Sequence, residues 1–101
     1  MKKFSMVVHS SQQQELADVL RSLHLDCFMF SHIEEHGTQN ENDALLSARD
    51  RVVGYVPKVR LDVIIENERA LTLLEDIRNS AFVCTGNNVY WVTDLEESGR
   101  L

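Results

Sequence analysis

Apolar and polar positions alternate at the start of the chain, where Phe4, Met6 and Val8 fall on one side of Phe4-Ser5-Met6-Val7-Val8, ahead of polar His9-Ser10-Ser11. A period of two over a short run bounded by turn formers predicts a first β-strand. The period then changes. Leu16, Val19, Leu20 and Leu23 recur at i, i+3, i+4 and i+7, which predicts an amphipathic helix, with Ser10 or Ser11 as its cap and Gln13 or Gln14 completing a capping box. From Cys27 to Glu35, Phe28 and Phe30 alternate with Cys27, Met29 and Ser31 in a run that is short and aromatic, so a second strand is predicted. Strand character returns over Val52 to Ile65, with Val59, Leu61, Val63 and Ile65 on one face and Lys58, Arg60 and Asp62 on the other. Pro57 donates no backbone hydrogen bond, so it calls for an edge, a bulge or a bend. Asn67 can cap a second helix whose stripe is Ala70, Leu73, Leu74 and Ile77. Thr85-Gly86-Asn87-Asn88 is turn chemistry, and Val89-Tyr90-Trp91-Val92 is a last strand.

The resulting order, βαββαβ, predicts an α+β, ferredoxin-like sandwich in which two helices cover one face of an antiparallel sheet. Apolar residues occur on both sides of several strands, for example Val7 beside Met6 and Val8, and Tyr90 beside Trp91. A second subunit is therefore expected on the face the helices leave open. The connection from Gly37 to Asp50 between strands 2 and 3 is polar and exceeds the usual length of about 4 to 6 residues, so a flexible, functional loop is expected there. With 101 residues, 44% hydrophobic content and one proline, the chain reads as a single domain spanning 1–101. A domain of this size buries only roughly 60 to 70% of the surface its unfolded chain exposes, so burial between subunits would add stability.

Charge narrows the partners. The formal net charge is −6 and no run of lysine or arginine is present, which excludes the counterion-releasing patch that nucleic-acid binding requires. The two cysteines, Cys27 and Cys84, lack zinc-ribbon spacing and are too few for a disulfide scaffold, so they read as buried small hydrophobes in a reducing cytoplasm. Met1-Lys2-Lys3 is followed by an apolar run too short for a signal peptide, and no membrane insertion is expected.

The stretch Gly54-Tyr55-Val56-Pro57-Lys58-Val59-Arg60-Leu61-Asp62-Val63-Ile64-Ile65 resembles the third strand of the PII signal proteins, in which a hydrophobic pair precedes Pro-Lys-Val-Lys and alternating aliphatic and acidic residues. The Met-Lys-Lys start, the acidic strand end leading to Gly37 and Gln39, the long loop, Thr85-Gly86 after the second helix and Asp94-Leu95-Glu96-Glu97 after the last strand fall into step with it. The resemblance implies a homotrimer that senses a small ligand and reports to a protein partner, a membrane transporter or efflux component, through its long loop. It also implies Gly37, Gln39, Lys58, Thr85 and Gly86 as ligand-binding positions. In the family, Lys58 and Gln39 match residues that hold a dicarboxylate beside the nucleotide; taken alone they read as a solvated lysine and a loop amide.

The departures matter as much. The family's glycine-rich, lysine-containing loop holds nucleotide phosphates through backbone N–H groups and a positive charge. Here Thr85-Gly86 runs straight into Asn87-Asn88, with no second glycine pair and no lysine, and the C-terminal arginines shrink to Arg100. ATP or ADP is therefore not expected as a cofactor, since the phosphates would lack charge-assisted partners. The family's modified tyrosine has no counterpart in Ala48-Arg49-Asp50-Arg51 either.

One constellation carries chemistry of its own. In His32-Ile33-Glu34-Glu35-His36, the residues His32, Glu34 and His36 are spaced by two and share a face if the strand continues that far. Imidazole suits zinc, copper and nickel, and a carboxylate can complete three ligands. The same residues also read as a solvated strand end before a loop. PII-like proteins without the nucleotide loop include groups linked with heavy-metal tolerance and efflux, which is what the resemblance implies for a metal here. The alternative to a sensor is thus a transition-metal-binding protein of the copper-tolerance type without a signalling role. No catalytic residue can be named, and the chain is not expected to be an enzyme.

Overall fold

The long strand predicted around Pro57 becomes the load path of the sheet in the computed structural model, which describes residues 1–37, Ala48 and 54–101. Strand β1 (Lys2–His9) lies between β3 (Val56–Ile65) and β4 (Val89–Asp94), and β2 (Met29–Glu35) pairs with the far side of β3. The order is β2-β3-β1-β4 and every pairing is antiparallel. Helix α1 (Gln13–Ser22) links β1 to β2, and α2 (Asn67–Arg78) links β3 to β4. Each helix thus spans an intervening strand, the split βαβ arrangement of a ferredoxin-like α+β fold.

The core follows from the two periodicities. Phe4, Met6 and Val8 of β1 and Val59, Leu61, Val63 and Ile65 of β3 pack with Leu16, Val19 and Leu20 of α1 and Ala70, Leu73 and Ile77 of α2 in one cluster. Each fully buried leucine or phenylalanine contributes about 1.5 to 3 kcal/mol relative to an exposed one. Phe82, after α2, closes the cluster, and Tyr90 stacks on Phe4 with ring centroids 6.3 Å apart. The helices are also tied to each other: Arg69, held by Asp76 of the same helix, donates to the Leu23 carbonyl at the end of α1 at 3.3 Å.

Several local expectations change. Ser10 and Ser11 do not cap α1; they form a 3-10 turn, Ser10–Gln12, whose own cap is His9, with its Nδ1 accepting from the Ser11 N–H at 3.1 Å. Asn67 is the first residue of α2, not its cap, and neither helix has a side-chain cap bond. Pro57 sits in an interior strand, but the β1 ladder ends at His9 opposite Lys58, so Pro57 lies where β3 has β2 alone beside it. Both cysteines are exposed instead of buried, because Cys27 falls in the connection before β2 and Cys84 in the loop before Thr85. Val7 is buried, not exposed, because Arg60 and Val89 flank it on the same face.

At the lower edge, the Lys2 ammonium pairs with Asp94 and holds its carboxyl below the usual carboxylate value. This tie between β1 and β4 is present above the ordinary carboxylate pKa and is lost as pH falls through the depressed one; being exposed, it contributes little. No helix among the described residues is long and apolar enough to cross a membrane.

Helix α1 ends in a Schellman motif. Leu25 N–H donates to the Leu20 carbonyl at 3.1 Å and His24 N–H to that of Arg21 at 3.0 Å. His24 supplies the left-handed residue this motif requires, at φ 63°, where glycine carries no Cβ penalty. His24→Gly is expected to raise stability by about 0.5 to 1 kcal/mol and His24→Val to lower it by at least as much, as read from urea unfolding.

Candidate functional site

The ends of β2 and β3 from which residues 36–55 depart carry a buried charge. On the sheet face opposite the helices, Lys58 is flanked by Ile33 of β2 and His9 of β1, with Val56 and Arg60 before and after it on its own strand. Neighbours on four sides leave its side chain 1% exposed, and the Lys58 ammonium faces the Glu35 carboxylate at 3.8 Å. The pair is a diagonal cross-strand contact, since Glu35 stands opposite Val56. Lys58 is therefore not the solvated lysine that its residue type suggests, and sheet position explains it: a strand paired on both sides has no free flank. Further along the same face, Ser5 donates to Asp62 at 2.7 Å and Arg60 to Asp62 at 2.9 Å, a polar network on the central strands.

The His32, Glu34, His36 set does not converge. His32 and Glu34 are on β2, opposite Val59 and Pro57, and His36 lies just past the strand's end. There its Nε2 is 3.2 Å from Glu34 Oε1 and its ring centroid 5.6 Å from that of Tyr55. Among the described residues, no three histidine, cysteine, aspartate or glutamate side chains are grouped to hold a metal. The structure brings Glu34 and His36 together and leaves His32 apart. From sequence, Tyr55 was read only as part of the strand motif, too close to it to stand in for the family's modified tyrosine; its contact with His36 is a product of the fold.

Of the remaining candidates, Gly37 is exposed just after β2, and Gln39 lies outside the described residues. Thr85 and Gly86 lie in the connection from α2 to β4, far along the chain from Lys58. The connection is closed on itself: the Thr85 N–H donates to Asn88 Oδ1 at 3.1 Å, and the Asn87 N–H to Thr85 Oγ1 at 3.3 Å. Gly86, at φ 86°, makes the tight turn between them. Gln12 anchors the loop to the start of α1, donating to the Val83 carbonyl at 3.0 Å and accepting from Asn88 at 3.4 Å. Gln12 was read from sequence only as part of a polar run; its burial is what marks it.

Residues 2–101 match the profile of a family described as "Protein of unknown function (DUF3240)". Characterised relatives are more distant. The chain is 26% identical over 102 residues to the nitrogen regulatory protein P-II of Rhizobium meliloti, covering all of this chain and 91% of that protein. The P-II proteins of Azospirillum brasilense and Bradyrhizobium diazoefficiens are 23% and 22% identical with the same coverage.

A buried ammonium makes a falsifiable demand on its surroundings. Glu35→Gln is expected to lower stability by about 1 to 3 kcal/mol, because it removes a charge facing Lys58. Adding Lys58→Met is expected to recover most of that loss, with the coupling read from a urea-unfolding double-mutant cycle. Independent, additive effects would show that the two charges do not sense each other.

Proposed function

Since this chain belongs to the DUF3240 family and is a divergent member of the PII-like superfamily, we propose that it is a non-enzymatic regulatory protein that works as a homotrimer in the cytoplasm. It senses a small ligand at the strand ends around Lys58 and reports to a protein partner, a membrane transporter or efflux component, through the segment joining β2 to β3. The observation that carries this reading is the full-length relation to nitrogen regulatory proteins, together with a ferredoxin-like sheet in which the strand ends bounding that segment carry a buried Lys58 facing a half-buried Glu35.

The ligand differs from a nucleotide held by the α2–β4 connection. Two N–H groups of that connection are engaged by Asn88 and Thr85 side chains, and no lysine or arginine occurs between Arg78 and Arg100. Phosphate oxygens would find no cation there and would compete with side chains for two of its N–H groups. A transition-metal reading draws on the Glu34–His36 contact alone and is subordinate to the sensor reading.

Assembly is supported by the sheet edges. Strand β4 exposes Val89, Trp91 and Val92 at 53%, 39% and 43%, and it is an edge strand. An apolar edge with its one charge, Asp94, at the strand end invites pairing with another chain. Heterologous contact between the β4 edge of one copy and the β2 edge of the next closes into a ring when the rotation allows.

Native mass spectrometry is expected to give three times the 11.6 kDa chain mass. Val89→Lys/Trp91→Arg, on the face away from the core, is expected to shift the species to monomer while circular dichroism stays unchanged; a monomeric wild type removes the trimer from the proposal. In calorimetric titration, ATP is expected to bind no more tightly than about 1 mM, near −4 kcal/mol. Micromolar binding would return the chain to the nucleotide-dependent mode and overturn this account of the loop.

A further inference from the structure

The turn that leads into helix α1 is held by an imidazole. His9 ends β1 and is buried, and its Nδ1 accepts the Ser11 N–H at 3.1 Å while standing 2.8 Å from Ser11 Oγ. A ring nitrogen accepts a hydrogen bond only through its lone pair, so this cap exists only while Nδ1 carries no proton. Histidine is also the side chain whose charge ordinarily changes between about pH 5 and 8. The commoner caps, serine, threonine and asparagine, would hold the turn without that dependence.

Two neighbours carry the state of His9 beyond the turn. On one side, Lys58 stands directly opposite His9 in the β1–β3 ladder, its buried side chain facing Glu35 of β2. An imidazolium there sets a second cation beside a buried one, and like charges directly opposite across strands are destabilising. On the other side, Gln12 closes the same turn and is buried; its side chain donates to the Val83 carbonyl at 3.0 Å and accepts from Asn88 at 3.4 Å. Gln12 thus joins the start of α1 to the α2–β4 connection. Among the described residues, Arg60, next on the same face of β3, bonds Asp62, and Glu15 of α1 accepts from the Val83 N–H at 3.4 Å. The β1–β4 ladder ends at Val7 opposite Val89, so β4 sets no charge opposite His9.

We propose that the turn from His9 to Gln12 is a proton-operated latch that couples the Lys58 strand end to the α2–β4 connection. With Nδ1 unprotonated, the turn is closed and Gln12 holds the connection at Val83 and Asn88. A proton taken from solvent converts Nδ1 from acceptor to donor, so it opposes the Ser11 N–H, and the new charge is repelled by Lys58. The turn then opens and Gln12 releases the connection. The latch is therefore closed on the alkaline side of the imidazole range and opens as pH falls. It does not rest on the regulatory reading, since the cap, the Lys58 register and the Gln12 bonds hold whatever the chain senses.

The test follows the full chain by NMR from about pH 8 to about pH 5, the range in which histidine ordinarily titrates. The His9 ring, the Ser11 amide and the side-chain amides of Gln12 and Asn88 are expected to shift with one common midpoint. Hydrogen-exchange protection of the Thr85 amide is expected to fall across that midpoint by about two- to thirtyfold, the range in equilibrium constant that loss of a helix cap spans. His9→Asn keeps a capping oxygen without a titrating ring, and it is expected to hold the connection at its high-pH protection throughout. His24→Gly and His32→Ala/His36→Ala are expected to respond as wild type. A His9 ring that takes no proton down to about pH 5, a connection that stays protected while the ring titrates, or a wild-type response in His9→Asn would overturn the latch and leave His9 as a structural cap.

Discussion

The antiparallel register of β3 against β1 is the constraint from which the rest of this domain follows. Eight residue pairs, from Lys2 opposite Ile65 to His9 opposite Lys58, fix which side chains meet the helices. A slip of one residue would turn Val59, Leu61 and Val63 outward and drive Lys58, Arg60 and Asp62 beneath α1 and α2. The apolar core resists that slip from one face. From the other face, the Ser5–Asp62–Arg60 hydrogen bonds specify the same alignment, because Ser5 and Asp62 are directly opposite only in this register. Sheet geometry and polar satisfaction therefore agree, and the position of the β2–β3 strand ends is a consequence of both.

That agreement explains which parts were legible in the sequence. Strands and helices with a clear period, such as Val59 to Ile65 and Leu16 to Leu20, were readable because a single face of each is buried, and the βαββαβ order then left few ways to stack them. Other features depend on neighbours that a linear pattern does not display. Lys58 looked like a surface lysine because its residue type says so; its burial comes from Ile33 and His9 on strands far away in sequence. The His32, Glu34, His36 set looked like a chelate because its residues share a face, yet Glu34 and His36 are the pair that meets, with the His36 ring past the strand end beside Tyr55. Ser10 and Ser11 looked like caps because their hydroxyls are suited to it, yet the His9 imidazole took the capping position and the chain entered α1 through a 3-10 turn.

The α2–β4 connection shows how a tight turn can satisfy much of its own backbone. A loop that cradles phosphate presents unsatisfied N–H groups, and such groups are costly unless a ligand or water meets them. Here Asn88 and Thr85 side chains accept from them instead, and Gln12 fastens the loop to α1. The Asn88 side chain thus carries a structural role, bonding both Thr85 and Gln12. Self-satisfaction of this kind preorganises the turn at Gly86.

The two sheet edges are not equivalent, and their difference bears on how copies could meet. Strand β2 carries His32 and Glu34, both exposed, and its acidic end pairs inward with Lys58; charges of this kind blunt an edge. Strand β4 carries four consecutive exposed apolar or aromatic residues, Val89 to Val92, and its only charge is Asp94 at the end. An edge of this composition is stable only when something covers it, whereas the β2 edge tolerates water. Self-association through like edges would bring two β4 strands together in a two-fold pair and leave β2 outside the contact, where its charges cost nothing. Association through unlike edges would instead place β2 charges beside β4 aromatics, which is favourable only if Trp91 or Tyr90 stacks against the His32 or His36 ring and Glu34 keeps its contact with His36. The two edges therefore differ in what they tolerate: β4 gains from being covered, whereas β2, with Glu34 held by His36 and Glu35 by Lys58, keeps its charges matched in water.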